Sequence, residues 1–514
     1  MATPVIGIDL GTTNSVVAYC DEAGSVTVIT DESGDRIIPS VVHFEQGGNV
    51  VVGRLARGYA KVEPQRVARV FKRGMGTPTF LKSDQPLVVD DKDWTPEELS
   101  SLVLKKLRNM AEQHFGEPVS QAVITVPHYF GEPERAATRS AGEIAGLEVL
   151  QIVNEPTAAA IAHTLDGEIE PGKLLVFDLG GGTFDVTLMR QGEGGETEVI
   201  TTSGDRELGG VDFDEAILER MIDVARQETG QDLTEDLWAL NAATVLAEEI
   251  KQELSTRQSA TRPLPVTGKP VMFDLSREEF EGLIAAQIQL VEDAVLIAFD
   301  KAEIDGSDVD EALMVGGSSR IPAFQEMVER LTGSKPQLTK NLDEDVARGA
   351  AVLGAKLGSD KLDPRSELAR RPNPIDAASH ALGVSVVHAE DRALLINQVV
   401  IAEGTAIPHA STHEFFAAND GQRDVELVLN EGADQDLDFT RELSKSVGTF
   451  AEPVDRGHPL RFEIEYTVDQ LIKVQLFDGV SGQLLTEIEV EHTGMLTERE
   501  REDAREFLRG AKVS

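Results

Sequence analysis

The chain has 514 residues, in which 90 acidic side chains outnumber 48 basic ones for a formal net charge of −42. That length implies two to four folded units with ample core, and the charge repels nucleic acid and anionic membranes, describing a heavily solvated surface, a salt-rich cytoplasm or a basic partner. A lone Cys20 excludes an internal disulfide framework, fits a reducing compartment and reads as a small buried apolar residue. Met1-Ala2-Thr3-Pro4 does not open a basic-then-apolar leader and no later run reaches membrane-spanning length, so the expected location is cytoplasmic.

Val5-Ile6-Gly7-Ile8 reads as a strand and runs into the turn Asp9-Leu10-Gly11-Thr12-Thr13-Asn14-Ser15. Its counterpart follows a second apolar run, Leu174-Leu175-Val176-Phe177, as Asp178-Leu179-Gly180-Gly181-Gly182-Thr183-Phe184-Asp185. Glycines let backbone N–H groups approach phosphate oxygens, threonine hydroxyls add donors, and an aspartate at a strand end suits hydrated Mg²⁺. A single glycine turn is a common structural device. Two related copies imply an internal duplication, with two α/β halves facing across a cleft that holds a polyphosphate. A Walker loop is absent, and a dinucleotide fingerprint begun at Gly180 fails at Asp185, which leaves hydride chemistry without support.

Between the two turns, Thr95-Pro96-Glu97-Glu98 has capping-box form, and Leu99, Leu102, Val103 and Met110 share the face of the helix it starts. Gln121 to Val126 reads as a strand stopped by Pro127, and Pro133 to Ala145 as a helix. A long helix is expected over residues 277–303. Residues 1–358 thus form an α/β unit. Residues 359–379 lose apolar periodicity and carry Asp363-Pro364 and Arg371-Pro372-Asn373-Pro374, the best linker in the chain. From 380 to 494 the period becomes two, as in Val425, Leu427, Leu429 and in Phe462, Ile464, Tyr466, with further runs at 471–477 and 484–490, so an all-β domain follows. Residues 495–514 hold a short helix capped at Thr497, whose apolar face of Ala504, Phe507 and Leu508 must dock on something to be stable.

In this order the motifs resemble the seventy-kilodalton heat-shock (DnaK-type) chaperones. The likeness extends through Ala122 to Pro127, Asn154-Glu155-Pro156-Thr157, Leu208-Gly209-Gly210-Val211-Asp212-Phe213-Asp214, Val315-Gly316-Gly317-Ser318-Ser319-Arg320 and Asn341-Leu342-Asp343-Glu344. The resemblance implies an actin-like ATPase of two ribonuclease H-like lobes followed by a β-sandwich that binds extended apolar peptides. It implies ATP and ADP as ligands, with Mg²⁺ and optionally K⁺. By similarity Gly11, Thr12, Thr13 and Gly180, Gly181, Gly182 and Thr183 hold phosphates, and Asp9 and Asp178 hold Mg²⁺ through water. Lys72 positions the attacking water, and Glu155, Asp178, Thr183 and Asp185 complete the catalytic set. Read alone, Lys72 is a solvated charge and Glu155 a helix N-terminal carboxylate. Glu248, Lys251 and Ser255, spaced for one helical face, clamp adenosine against Gly316, Gly317, Ser318, Arg320 and Asp343; on spacing alone the first three are a surface ion-pair cluster. Pro127 and Arg135 match the relay between nucleotide and peptide domains. Val384, Val387, Phe415, Val425 and Leu471 match the peptide pocket, although alternating apolar residues in a sandwich are by default core.

Three departures stand out. Pro372-Asn373-Pro374-Ile375-Asp376 replaces a leucine-rich linker, and each buried leucine lost removes roughly 1.5 to 3 kcal/mol, so weak docking is expected. Gln151 stands where the family commonly has an arginine used by J-domain partners, so weak or no J-protein stimulation is expected. About 18 residues follow Leu496 in place of a long helical lid, which implies fast peptide release. The expected partners are unfolded polypeptides and a nucleotide-exchange factor, without nucleic acid or membrane. Two other readings stay open at this point: an adaptor recognising one protein partner, and an actin-fold sugar or acid kinase.

Overall fold

The computed structural model describes residues 4–77, 87–165, 171–192, 196–268, 270–338, 341–358, 362–363, 366–467, 471–490 and 496–514. The start of the expected linker (359–361), Pro364 and the end of the expected sandwich (491–494) lie outside them.

Two sheets repeat one plan. In the first, Val5–Leu10 pairs antiparallel with Asn14–Cys20 across the first glycine turn and parallel with Gln121–Val126, which continues parallel to Glu148–Asn154. In the second, Gly172–Leu179 pairs antiparallel with Phe184–Gln191 across the second turn and parallel with Glu311–Val315, which continues to Gln337–Leu338. Both turns therefore sit at the carboxyl end of a central strand, where open α/β sheets place ligands. The duplication expected from the paired motifs is present.

The sheets meet through two helices, Glu155–His163 and Asp345–Leu357. They cross so closely that a Cβ on Gly349 would lie 1.8 Å from the Ala158 carbonyl oxygen. The alanines around Ala158 and Ala350 are fully buried and fill this seam. The helix started by Thr95 runs Pro96–Phe115 with the expected capping box, and the next strand and helix fall at Gln121–Val126 and Glu132–Ile144. The long helix expected over 277–303 is instead two, Arg277–Leu283 and Ala285–Lys301, bent by 67°. Phe280 and Ile284 are both buried at the corner, with Gly282 between them, so packing and a glycine together accompany the turn of the chain. No single helix among the described residues is long and apolar enough to cross a membrane; this bent pair passes by length and composition only.

The strands between Leu382 and Val490 form a sandwich of two four-stranded antiparallel sheets. One runs in the order Leu395–Ile401, Leu382–Val387, Gln422–Glu431, Arg441–Val454, and the other in the order His409–Phe416, Pro459–Tyr466, Ile472–Asp478, Leu484–Val490. Leu427, Leu429, Phe462, Ile464, Val474 and Leu476 face inward, as the period of two requires.

The sandwich rests on the lobes. The backbone N–H of Ile375 donates to Thr197 O at 2.8 Å and its carbonyl accepts from Val199 N at 3.2 Å, adding a bridge to the edge of the second sheet. Asp376 is next to it, and its carboxylate accepts from the Asn154 amide and from Ala377 N. The linker is thus docked with Ile375 still 41 % exposed. Backbone pairing and one half-buried acid make this contact, with no leucine in it. Lys301–Glu403 at 2.6 Å and Arg441–Glu134 at 3.5 Å add ion pairs across the interface.

The final helix, Glu498–Gly510, docks on the first lobe. Leu496, Ala504, Leu508 and Val513 join that lobe's core, and Phe507 meets the Trp94 ring edge-on at 5.1 Å. The chain beyond it pairs with the strand Val50–Val52: Val50 N donates to Lys512 O, Val52 N to Ser514 O, and Ser514 N to Val50 O.

Candidate nucleotide site

The two glycine turns touch across the cleft. A Cβ on Gly181 would lie 2.3 Å from Thr13 Oγ1, and one on Gly182 2.5 Å from Thr12 Cγ2. Only glycine permits this approach, which interlocks the threonines of one lobe with the backbone of the other. The second turn is laced from behind. Gly180 N donates to Thr183 O at 3.0 Å, Gly210 N to Gly180 O at 3.0 Å, Val211 N to Gly181 O at 2.8 Å, and Ser318 Oγ to Gly180 O at 2.9 Å.

Beneath the turns lies a concentration of carboxylates. Glu155, Asp178 and Asp185 are buried and Asp9 is half-buried at its strand end. Lys72 is buried with them, its Nζ 2.7 Å from Glu155 Oε1 and 5.6 Å from the centre of the Phe130 ring. Desolvation pushes the Asp9 carboxyl up to about 7, the Glu155 charge adding to the rise and Lys72 opposing it. Burial first, and then Glu155, likewise holds Asp178 and Asp185 well above the ordinary carboxylate range. Four acids around one lysine ionise together only when a further cation joins them. No group of three or more His, Cys, Asp or Glu among the described residues could cage a metal by itself. The donor set therefore suits Mg²⁺, a hard ion that keeps waters and takes one or two carboxylates beside phosphate oxygens.

A cavity of about 400 Å³ opens from the turns toward the cleft mouth, between Thr12, Thr13 and Arg57 of one lobe and Asp214, Thr244 and Glu248 of the other. That is the size of a small-molecule site. Glu248 and Lys251 share one half-buried face of the helix Leu237–Leu254, and Ser255 caps it, its Oγ donating to Lys251 O at 3.0 Å. Glu248 pairs with Arg57 across the cleft at 2.7 Å. Lys251 Nζ donates to Gly210 O at 2.6 Å and pairs with Asp214 at 2.9 Å, while burial pushes the Asp214 carboxyl up to about 6 against the pull of Lys251. On the opposite wall Arg320 bonds Asp343 at 2.6 Å, with Gly316 and Gly317 between strand and turn.

Arg135, fully buried, donates to the Phe130, His128 and Asn154 oxygens and to Ser379 Oγ at 3.0 Å, so it joins the lobe to the linker; Pro127 opens the same turn. The peptide-pocket set is less unified. Val384 is buried in the sandwich core, Phe415, Val425 and Leu471 are half-buried, and Val387 is 37 % exposed. The contacts of Arg57, Arg73, Asp212, Asp214 and Asp376 are not visible in the sequence, although the last three stand in segments quoted above. Their partners lie far away in the chain, beyond the range of any local pattern. For Arg73 and Asp376 there was a usable signal, since Arg73 follows Lys72 directly and Asp376 is an acid in an otherwise proline-broken linker.

Two duplicated lobes closing on a phosphate-shaped cleft, with a sandwich docked against them, define an actin-like nucleotide-binding protein with an appended β domain. Comparison with known proteins specifies the class. The family model described as Hsp70 protein matches residues 5–506. The chain is 37 % identical over 492 residues to the chaperone protein DnaK of Thermotoga petrophila and equally to that of Thermotoga maritima, covering 93 % of this chain and 79 % of each relative. The chaperone protein DnaK of Emiliania huxleyi is 39 % identical over 497 residues, covering 90 % of this chain and 75 % of the relative. The chain belongs to the Hsp70 family, whose members are ATPases, and is a chaperone of the Hsp70 type.

Proposed function

We propose that this chaperone binds and hydrolyses ATP in the interlobe cleft and uses the cycle to bind and release extended apolar polypeptide segments on its sandwich. The observation that carries the reading is the interlock of Gly181 and Gly182 with Thr13 and Thr12 above the Lys72–Glu155 pair. In this reading the turn amides and threonine hydroxyls hold the phosphates, and Asp9 and Asp178 hold hydrated Mg²⁺, which supplies charge neutralisation when bound. Lys72 and Thr183 flank the γ-phosphate, Glu155 and Asp185 orient the attacking water, and Glu248, Lys251, Ser255, Arg320 and Asp343 line the adenosine site. Positioning and electrostatics dominate phosphoryl transfer, so these residues suffice without a covalent intermediate.

This reading takes unfolded polypeptides and an exchange factor as partners and a cytoplasmic setting, which the unpaired Cys20 suits. The test is single-turnover hydrolysis of ATP by the full chain, with Thr183→Ala and Lys72→Ala alongside, and with and without an apolar heptapeptide. Hydrolysis that drops about a hundredfold or more in both variants and responds to peptide supports the reading. ATP that binds without turnover, or turnover indifferent to both substitutions, overturns it.

A further inference from the structure

Three consecutive carbonyls of the second phosphate turn each have a partner. Gly180 O and Gly181 O accept from the backbone of Gly210 and Val211, within the same lobe. The third, Gly182 O, accepts from Arg73 Nε at 2.8 Å, and Arg73 belongs to the other lobe. The rest of the guanidinium forks onto Asp212, with one nitrogen 3.1 Å from Oδ1 and the other on Oδ2. Asp212 Oδ2 in turn accepts from Gly209 N at 2.8 Å, so the fork is anchored at the start of the helix Gly210–Thr229. The Arg73 side chain is 6 % exposed and follows Lys72, whose ammonium is committed to Glu155.

A peptide unit is planar, so fixing the Gly182 oxygen fixes the direction of the Thr183 N–H on the same plane. We infer that Arg73 is a positioning residue for hydrolysis: it makes the orientation of the Gly182–Thr183 peptide depend on closure of the two lobes. The adjacent residues divide the work, Lys72 serving the reacting phosphate and Arg73 setting the opposing turn against it. The inference rests on the proposed ATPase reading. A lysine cannot reproduce the fork, because its single ammonium does not span Gly182 O and both Asp212 oxygens with fixed geometry.

The test measures ATP affinity and the single-turnover hydrolysis rate for the full-length wild type, Arg73→Lys, Arg73→Ala and Asp212→Asn, with thermal melting as the folding check. Arg73→Lys keeps the charge and the aliphatic stem, so it remains informative even where Arg73→Ala does not fold. The expected result for Arg73→Lys is a rate lowered on the order of a hundredfold, as for a misplaced reacting group, with ATP affinity changed far less and melting preserved. Asp212→Asn is expected to lower the rate in the same direction and to add little to Arg73→Lys in the double variant. A rate that falls only in proportion to affinity, or not at all, overturns the inference while wild-type turnover keeps the ATPase reading intact. A wild type that binds ATP without hydrolysing it overturns both.

Discussion

Asn154 donates its side-chain amide to both carboxylate oxygens of Asp376, each at 2.8 Å, and is the residue directly before Glu155. One peptide bond therefore separates the acid buried in the nucleotide cleft from the contact that holds the linker. Arg135 closes the arrangement by donating to Asn154 Oδ1 and to Ser379. A single side chain, that of Asn154, thus links the backbone next to Glu155 to the linker carboxylate.

Asp376→Ala should release the linker. Hydrogen bonds to a charged group are worth roughly 1.5 to 3 kcal/mol each, so losing the Asn154 contacts favours the undocked form by on the order of tenfold or more. Limited trypsin digestion reads this as faster cleavage after Arg370, the Arg371–Pro372 bond being resistant to trypsin. Unchanged cleavage would show that the Ile375 backbone bridge alone holds the segment.

Gly349→Ala tests the seam between lobes. The added methyl would meet backbone, the Ala158 carbonyl, at 1.8 Å and has no flexible neighbour to displace. Overpacking of this kind costs about 1 to 3 kcal/mol, so a clear drop in melting temperature is expected, whereas Gly34→Ala, with open space around it but a left-handed backbone, reports conformational strain alone.

Cys20 should resist alkylation. Burial, with Asp21 beside it, pushes its thiol up from about 9 to about 12. Only the thiolate reacts, so at pH 8 the reactive fraction falls by about a thousandfold relative to an ordinary cysteine, and the rate climbs with pH well beyond the usual plateau. Iodoacetamide labelling followed by mass, in native buffer and in denaturant, checks this; rapid native labelling at pH 8 would contradict it.

Leu508→Asp places a charge in the first lobe's core, where Leu508 is 5 % exposed. The final helix should detach, and the Val50 and Val52 amides that donate to Lys512 O and Ser514 O should lose hydrogen-exchange protection. Retained protection at those two amides would mean that the terminal pairing holds without the helix.

The architecture was legible where chemistry is local. Both phosphate turns declare themselves through glycine and threonine after an apolar strand, and Thr95 and Thr497 cap the helices their spacing implies. The sandwich is visible in the alternation of Leu427 and Leu429 with polar neighbours. Long-range partnership was not legible. Arg73 and Asp212 lie 139 residues apart, and Asn154 and Asp376 222 residues apart, so no periodicity connects them. The bend at Ile284 had one local signal, Gly282, but a lone glycine does not by itself end a helix, and the burial of Phe280 and Ile284 is set only by folding. The apolar face of the last helix was plain, but its receiving surface, Trp94 with Lys92 Nζ 3.9 Å above its ring, is assembled only by folding.

That last docking site limits how far the sandwich can travel. Its final strand ends at Val490, and the helix anchored on the first lobe is capped at Thr497, seven residues later. Seven residues reach at most about 25 Å when fully extended. While the helix stays in place, the sandwich is leashed at both of its ends, and even an undocked sandwich faces the lobes at an effective concentration in the millimolar range or above. Any motion of the sandwich is then a pivot on a short leash, with re-docking an intramolecular event insensitive to protein concentration.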